Sequence, residues 1–121
     1  MATEALISVI DDDESYREAV SSLLKSLKYR VMTFQSAAAF LASGFVREVS
    51  CLITDIHMPD MTGIELHKHL IDSGFAIPTI LITGYPDESA QARAIAQGVL
   101  CYLSKPCDED LLINCVHLAL K

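Results

Sequence analysis

A doubly wound α/β domain, with a five-stranded parallel sheet between two layers of five helices in all, is the fold that three observations in the sequence predict. Apolar runs of strand length alternate with longer amphipathic stretches, and the order strand then helix repeats five times. The intervals between the runs suit crossover helices and little more. Four of the runs also end on charged or hydroxylated residues: Asp11 and Asp12, Asp55, Thr83, and Lys105. In a parallel sheet covered by helices, groups at the carboxyl ends of neighbouring strands converge on one crevice.

The strands are placed at Leu6–Ile10, Arg30–Phe34, Cys51–Thr54, Thr79–Ile82 and Cys101–Ser104. Between the first two, Tyr16, Ala19, Val20, Leu23, Leu24 and Leu27 recur at three- and four-residue steps, the stripe of a helix packed on the sheet. Asp13 and Glu14 are read as the acidic start of that helix, where carboxylates favour the first turn. Ser36 caps a short second helix carrying Phe40 and Leu41, with Gly44 as its stop. A third helix follows Gly63, turns Leu66 and Leu70 inward and ends at Gly74. The fourth, after Pro86 and Asp87, is alanine-rich with few large apolar residues, so it is expected to pack most loosely and to be the mobile element. The fifth begins near Asp108 and buries Leu112, Cys115, Val116, Ala119 and Leu120.

A chain of 121 residues is one domain with one core, and the expected unit is 1–121 with no output domain. An apolar fraction of 51% suits a sheet buried on both faces. No apolar stretch approaches the roughly 18 residues of a membrane span, and no basic region precedes the first apolar run as in a secretory signal. A cytoplasmic location and no membrane partner are therefore expected. Nine basic against sixteen acidic residues give a net charge of −7, the wrong sign for neutralising nucleic-acid phosphates. Cys51, Cys101, Cys107 and Cys115 lie in or beside apolar runs without a CxxC pair, and are read as reduced thiols. His67 and His69, two apart, point to different sides of a helix and are read as solvated.

Asp11, Asp12 and Asp55 at neighbouring strand ends repel one another unless a cation or protons offset them. Oxygen-only ligands of this kind suit Mg²⁺, which takes few protein carboxylates beside a phosphate. Lys105, followed by Pro106, brings the opposite charge to the same sheet edge. With Thr83 nearby, a phosphate contact follows from the combination and not from any one member.

The ordered pattern of Asp11-Asp12, then Asp55-Ile56-His57-Met58-Pro59 with Asp60-Met61-Thr62-Gly63, then Ile82-Thr83-Gly84, then Lys105-Pro106, resembles the receiver domain of two-component response regulators. The resemblance spans essentially the whole chain. The Val9–Asp13 start, the Met58-Pro59-Asp60-Met61 turn and Thr83-Gly84 are most similar to the FixJ-like subfamily. The resemblance implies a flavodoxin-like, CheY-like fold. It also implies phosphoryl transfer from the phosphohistidine of a partner histidine kinase to the Asp55 carboxylate, with enzymatic action on no other substrate. It assigns direct Mg²⁺ binding to Asp12, Asp55 and the backbone carbonyl of His57, with Asp11 acting through a metal-bound water and Mn²⁺ as a substitute ion. Lys105 offsets charge on the transferred group, and positioning with electrostatics accounts for most of such catalysis.

By the same resemblance, Thr83 donates its hydroxyl to a phosphoryl oxygen and Tyr102 turns inward into the space released. That shift changes the partner preference of the face made by the fourth helix, fifth strand and fifth helix. His57 and Tyr85 flank the path of attacking water, and their bulk is expected to slow dephosphorylation. Cys107 stands where the family often has a bulky apolar residue. Phosphorylation-linked dimerisation through the fourth-helix and fifth-strand face is expected, and the chain is either a stand-alone receiver or part of a longer regulator. FixJ-like receivers are commonly joined to a DNA-binding output domain, which points to transcription regulation. Two other readings compete. A phosphatase of the haloacid dehalogenase class wants a second acid two residues after its nucleophile, where this chain has His57, and a cap domain, which is missing. A receiver fold kept only for phosphorylation-independent binding is expected to lose some of Asp11, Asp12, Asp55, Thr83 and Lys105, all of which are present.

Overall fold

In the computed structural model, which describes residues 5–121, the chain runs β1 (Leu6–Ile10), α1 (Glu14–Ser26), β2 (Arg30–Phe34), α2 (Ala37–Leu41), a 3-10 turn at Val46–Glu48 and β3 (Cys51–Asp55). It continues through α3 (Gly63–Asp72), β4 (Thr79–Thr83), α4 (Glu88–Gln97), β5 (Cys101–Ser104) and α5 (Glu109–Ala119). Residues 1–4 of the expected unit lie outside the described residues. All strands are parallel, in the order β2-β1-β3-β4-β5. This is the expected five-stranded, five-helix α/β/α fold. β3 and β4 each run one residue further than the apolar runs, taking Asp55 and Thr83 into the ladder.

Every residue of β1, β3 and β4 is buried, as central parallel strands covered on both faces require. On one face Val20 and Leu24 of α1 and Leu112, Cys115 and Val116 of α5 meet Ile7, Val9, Ile53 and Ile80. On the other, Ala37 and Phe40 of α2 and Leu66 and Leu70 of α3 meet Leu6, Ile10 and Leu52. A small third cluster, Ile56, Leu81, Ala94 and Val99, is what holds α4.

The helix starts follow side-chain chemistry. Asp13, Ser36, Asp87 and Asp108 each accept a hydrogen bond from a backbone N–H in the first turn of α1, α2, α4 and α5. Thr62 and Glu65 form a reciprocal capping box on α3, a signal left unread in the sequence. α2 stops at Leu41 with Ala42 as its cap, so Gly44, with φ of 83°, shapes the following turn and does not end the helix itself. Leu120 likewise follows α5 as its cap and, with Ala119, is only partly buried.

Two expectations about helix faces are corrected. Ala19 and Leu27 of the α1 stripe face solvent, and Ser21 is buried instead, because the contact face is centred on Val20 and Leu24. His67 is not solvated. It is 3% exposed, hidden between α3 and α4, with its Nδ1 2.7 Å from Gln97 Nε2, which also donates to the Ile64 carbonyl at 3.1 Å. Burial holds the imidazole below its usual pKa, so the neutral ring accepts from the Gln97 amide. His69 is exposed as expected. The four cysteines are free thiols, Cys51 and Cys115 buried and the other two partly so. α4 buries Ala94 alone among its residues, in line with the looser packing expected of it.

One glycine sets the distance between α3 and the end of β3. A Cβ on Gly63 would stand 2.5 Å from the Asp55 carbonyl oxygen and 3.0 Å from Leu81 Cδ2. Alanine is the better helix former by about 1 kcal/mol, yet the clash is with backbone that cannot swing away. Gly63→Ala is expected to lower the unfolding free energy by about 1 to 3 kcal/mol in urea denaturation. An unchanged or higher midpoint would contradict this packing.

Candidate functional site

Strand register brings the predicted residues together. Ile10 pairs with Thr54, which sets Asp11 level with Asp55 at the point where the chain leaves β1 in one direction and β3 in the other. Asp55 pairs with Ile82, so Thr83 projects one residue beyond, and Thr83 pairs with Ser104, so Lys105 follows. Backbone hydrogen bonds from the Lys105 N–H to the Thr83 carbonyl at 2.8 Å and from the Ile56 N–H to the Ile82 carbonyl at 3.2 Å extend the sheet past its strands. The result is an open cavity lined by Asp12, Asp13, Asp55, His57, Gly84, Tyr85 and Lys105.

Asp11, Asp12 and Asp55 each offer a carboxylate oxygen, and these oxygens lie within 4.8 Å of one another. Asp11 and Asp55 are buried while Asp12 is exposed. Such a set of hard oxygen donors fits a small divalent cation. Asp11 is the best held: its Oδ1 accepts from the Asp13 N–H at 2.9 Å and its Oδ2 from Lys105 Nζ at 2.9 Å. Lys105 Nζ also stands 3.7 Å from Asp55 Oδ2. Burial and the Asp11 charge push the Asp55 carboxyl above its usual range, against the opposing pull of Lys105. For Lys105 burial acts downward, but the Asp11 hydrogen bond and the charges of Asp11 and Asp55 outweigh it and raise the ammonium's pKa. Lys105 therefore stays charged.

Thr83 is fully buried, and its hydroxyl oxygen accepts from the Tyr85 N–H at 3.0 Å, which leaves the proton to be donated elsewhere. Tyr85 is 76% exposed and meets the His57 ring edge to face, centroids 5.5 Å apart, across the mouth of the cavity. Tyr102 stands apart from the carboxylates. Half-buried on β5, it accepts from the Asp87 N–H at 3.2 Å at the start of α4. Cys107 is partly buried against the α1 and α5 face, so the smaller side chain is accommodated there.

Sequence reading did not assign two neighbours to the site. Tyr16, taken as a core residue, presents its ring 4.5 Å from Lys105 Nζ. Arg17 donates to the Asp11 backbone carbonyl at 2.7 Å. Both lie in the first turn and a half of α1, and their distance from Asp12 in sequence is the one signal that could have pointed to them. Asp60, in the motif that follows β3, lies away from the carboxylates: it accepts from the Ala38 N–H at 2.8 Å, which holds its carboxyl below the usual range and ties the loop after β3 to the start of α2.

The family model for the response regulator receiver domain matches residues 7–117. The chain belongs to that family. Among curated relatives, the response regulator protein TmoT of Ectopseudomonas mendocina is 38% identical over 118 residues, covering 98% of this chain and 54% of that protein. The transcriptional regulatory protein FixJ of Azorhizobium caulinodans is 37% identical over 114 residues, covering 94% and 54%. The crystal structure of FixJ-N superimposes with a TM-score of 0.85 at 34% identity, covering 96% of this chain and 93% of that one. The chain spans about half the length of the curated relatives it matches. Receiver domains of response regulators are signalling proteins of two-component systems, and the FixJ-like likeness expected from the motifs is present. In this receiver domain no helix among the described residues is long and apolar enough to cross a membrane.

The raised pKa of Asp55 has a sign. A carboxyl whose folded pKa exceeds its unfolded value stabilises the fold below the unfolded pKa, near 3.9, and that contribution is lost as pH rises through the folded pKa. At pH 7 the ionised Asp55 is a net cost to the receiver domain. Asp55→Asn is therefore expected to raise the unfolding free energy in chelator at pH 7 by something on the order of 1 kcal/mol, the size of one relieved like-charge contact. The gain should shrink as the pH approaches 4. A variant less stable than wild type at pH 7 would contradict the electrostatics.

Proposed function

We propose that this receiver domain accepts a phosphoryl group on Asp55 from the phosphohistidine of a partner histidine kinase. The observation that carries the reading is the convergence, at the ends of β1, β3 and β5, of three carboxylates with one half-buried lysine ammonium. In the transfer an Asp55 carboxylate oxygen forms a bond to phosphorus while the phosphorus–nitrogen bond to the donor breaks. The imidazole nitrogen keeps the bonding pair and takes up a proton.

Each group has a task in this reading. Lys105, whose ammonium already reaches to 3.7 Å of Asp55, offsets charge on the incoming phosphoryl oxygens. Asp11, Asp12 and Asp55, with the backbone carbonyl of His57, would hold Mg²⁺ or Mn²⁺, and the all-oxygen donor set supports that choice. Such an ion, when bound, supplies charge neutralisation for the carboxylates and the transferring oxygens alike. Asp11 orients Lys105 while its other oxygen is tied to the Asp13 N–H. The His57 and Tyr85 rings narrow the route by which water reaches Asp55, which favours a long-lived acyl phosphate.

Readout follows the hydrogen bonds. Thr83 has a proton to give to a phosphoryl oxygen, and its own oxygen is tied to Tyr85 at the head of the loop that leads to α4. Two residues on, Asp87 is tied to the Tyr102 hydroxyl. A move of Thr83 toward the phosphoryl group would pull this loop and free Tyr102 to turn inward. α4, with Ala94 alone buried, resists little. The face of α4, β5 and α5 then changes its preference for a second copy, an attached output domain or a separate downstream protein. The transcriptional role named for FixJ favours an output at the level of transcription.

The test is intact mass after incubation with Mg²⁺ and a small phosphoryl donor. A gain of one phosphoryl group is expected, absent in Asp55→Asn and absent in chelator. A gain that survives Asp55→Asn, or no gain with any of several phosphoramidate and acyl phosphate donors, would overturn the reading.

A further inference from the structure

The Lys105 ammonium is held on three sides, and two of them are carboxylates. The third is aromatic: Nζ lies 4.5 Å from the centroid of the Tyr16 ring. With a side chain only 20% exposed, Lys105 makes this contact largely out of water, where a cation over a ring face is worth most.

Tyr16 is itself fixed from both ends. Its backbone N–H is accepted by the capping Asp13 carboxylate at 3.3 Å, and the next residue, Arg17, donates to the Asp11 carbonyl. The ring packs on the core cluster beneath α1 and α5. The phenol end of the ring lies near Cys107, two residues beyond Lys105. Burial first, then the nearby Cys107, Asp11 and Asp55, push the phenol up to about 12, and it stays a neutral ring.

We propose that Tyr16 is a positioning residue for phosphoryl transfer, its ring face holding the Lys105 ammonium in place between Asp11 and Asp55. Lysine has a flexible four-carbon stem and no built-in fork to fix its direction. The carboxylates alone would draw it toward Asp11, where it already bonds at 2.9 Å. The ring supplies the opposing wall that keeps Nζ between the two carboxylates, so that the lysine need not be recruited when the phosphoryl group arrives. This inference rests on the proposed transfer to Asp55, and it adds a group that touches neither phosphorus nor metal.

The experiment is a double-mutant cycle read by the rate of phosphorylation from a small donor with Mg²⁺. Tyr16→Leu, which keeps an apolar side chain in the core, is expected to slow the reaction by about five- to thirtyfold, the span of a partly to fully desolvated cation–ring contact. Tyr16→Phe, which keeps the ring and loses the phenol, is expected to restore the rate to within about threefold of wild type. In a Lys105→Met background, Tyr16→Leu should add no further loss, whereas a merely structural role would slow both backgrounds equally. A second readout is direct: the Lys105 Cε proton resonances of wild type should lie upfield of the other lysines and return to their range in Tyr16→Leu. Equal rates for Tyr16→Leu and wild type, or additive losses in the cycle, would overturn the inference while leaving Asp55 as acceptor. Absence of phosphorylation in the wild type would instead overturn the underlying reading, and the Lys105 resonances would then judge the contact alone.

Discussion

The bond between Lys105 Nζ and Asp11, extended to Asp55 at 3.7 Å, is the interaction on which the strand-end site depends. Parallel register forces Asp11 and Asp55 side by side at the switch point of the sheet, and burial strips both of water. Two such charges in a poorly hydrated site repel by an amount comparable with a tenth or more of a small domain's stability. One ammonium, itself buried enough to be costly, is the compensation the chain provides. Unequal treatment of the carboxylates follows. Asp11 has both oxygens engaged, Asp12 faces solvent, and Asp55 is left with a raised pKa and an oxygen facing an open cavity. A group destabilised in its ionised form is the one that gains most from a cation or from covalent capping.

Stiffness is distributed to match. β1, β3 and β4 are buried along their whole length and carry the carboxylates and Thr83 on the rigid centre of the sheet. Across from them, α4 is held by a four-residue cluster and by the Gln97 amide, which reaches His67 and the Ile64 carbonyl. A rigid site beside a lightly fastened helix is the arrangement through which a local charge change can shift a wider surface.

Much of this was legible in the sequence, and the rest was hidden for physical reasons. Strand positions were legible because fully buried parallel strands are written as uninterrupted apolar runs, and their ends on Asp11, Asp55, Thr83 and Lys105 located the site. The cap at Ser36 was legible from side-chain chemistry, whereas Asp13, Asp87 and Asp108 were legible only as helix starts and prove to be the capping residues themselves. Periodicity assigns a face to a helix but not the width of its contact, so Ala19 and Leu27 were given to a core that stops at Leu24. His67 was misread because its burial depends on α4, thirty residues away, arriving with an amide at the right height. Tyr16 was placed on the packed face correctly, but the ring's proximity to an ammonium eighty-nine positions later is a tertiary fact that spacing does not carry.

Asp11, Asp12 and Asp55 form one electrostatic unit whose oxygen donors fit a small divalent cation. It is tested by the thermal unfolding midpoint measured against Mg²⁺ concentration at constant ionic strength, for wild type and for Asp12→Asn, which removes one exposed carboxylate charge and leaves the buried pair in place. At Mg²⁺ ten times its dissociation constant, binding to the native state alone stabilises by about 1.4 kcal/mol, a rise of a few degrees for a domain of this size. A saturable rise is expected in the wild type and a much smaller one in Asp12→Asn at the same concentrations. No rise in the wild type, or equal rises in both proteins, would contradict it.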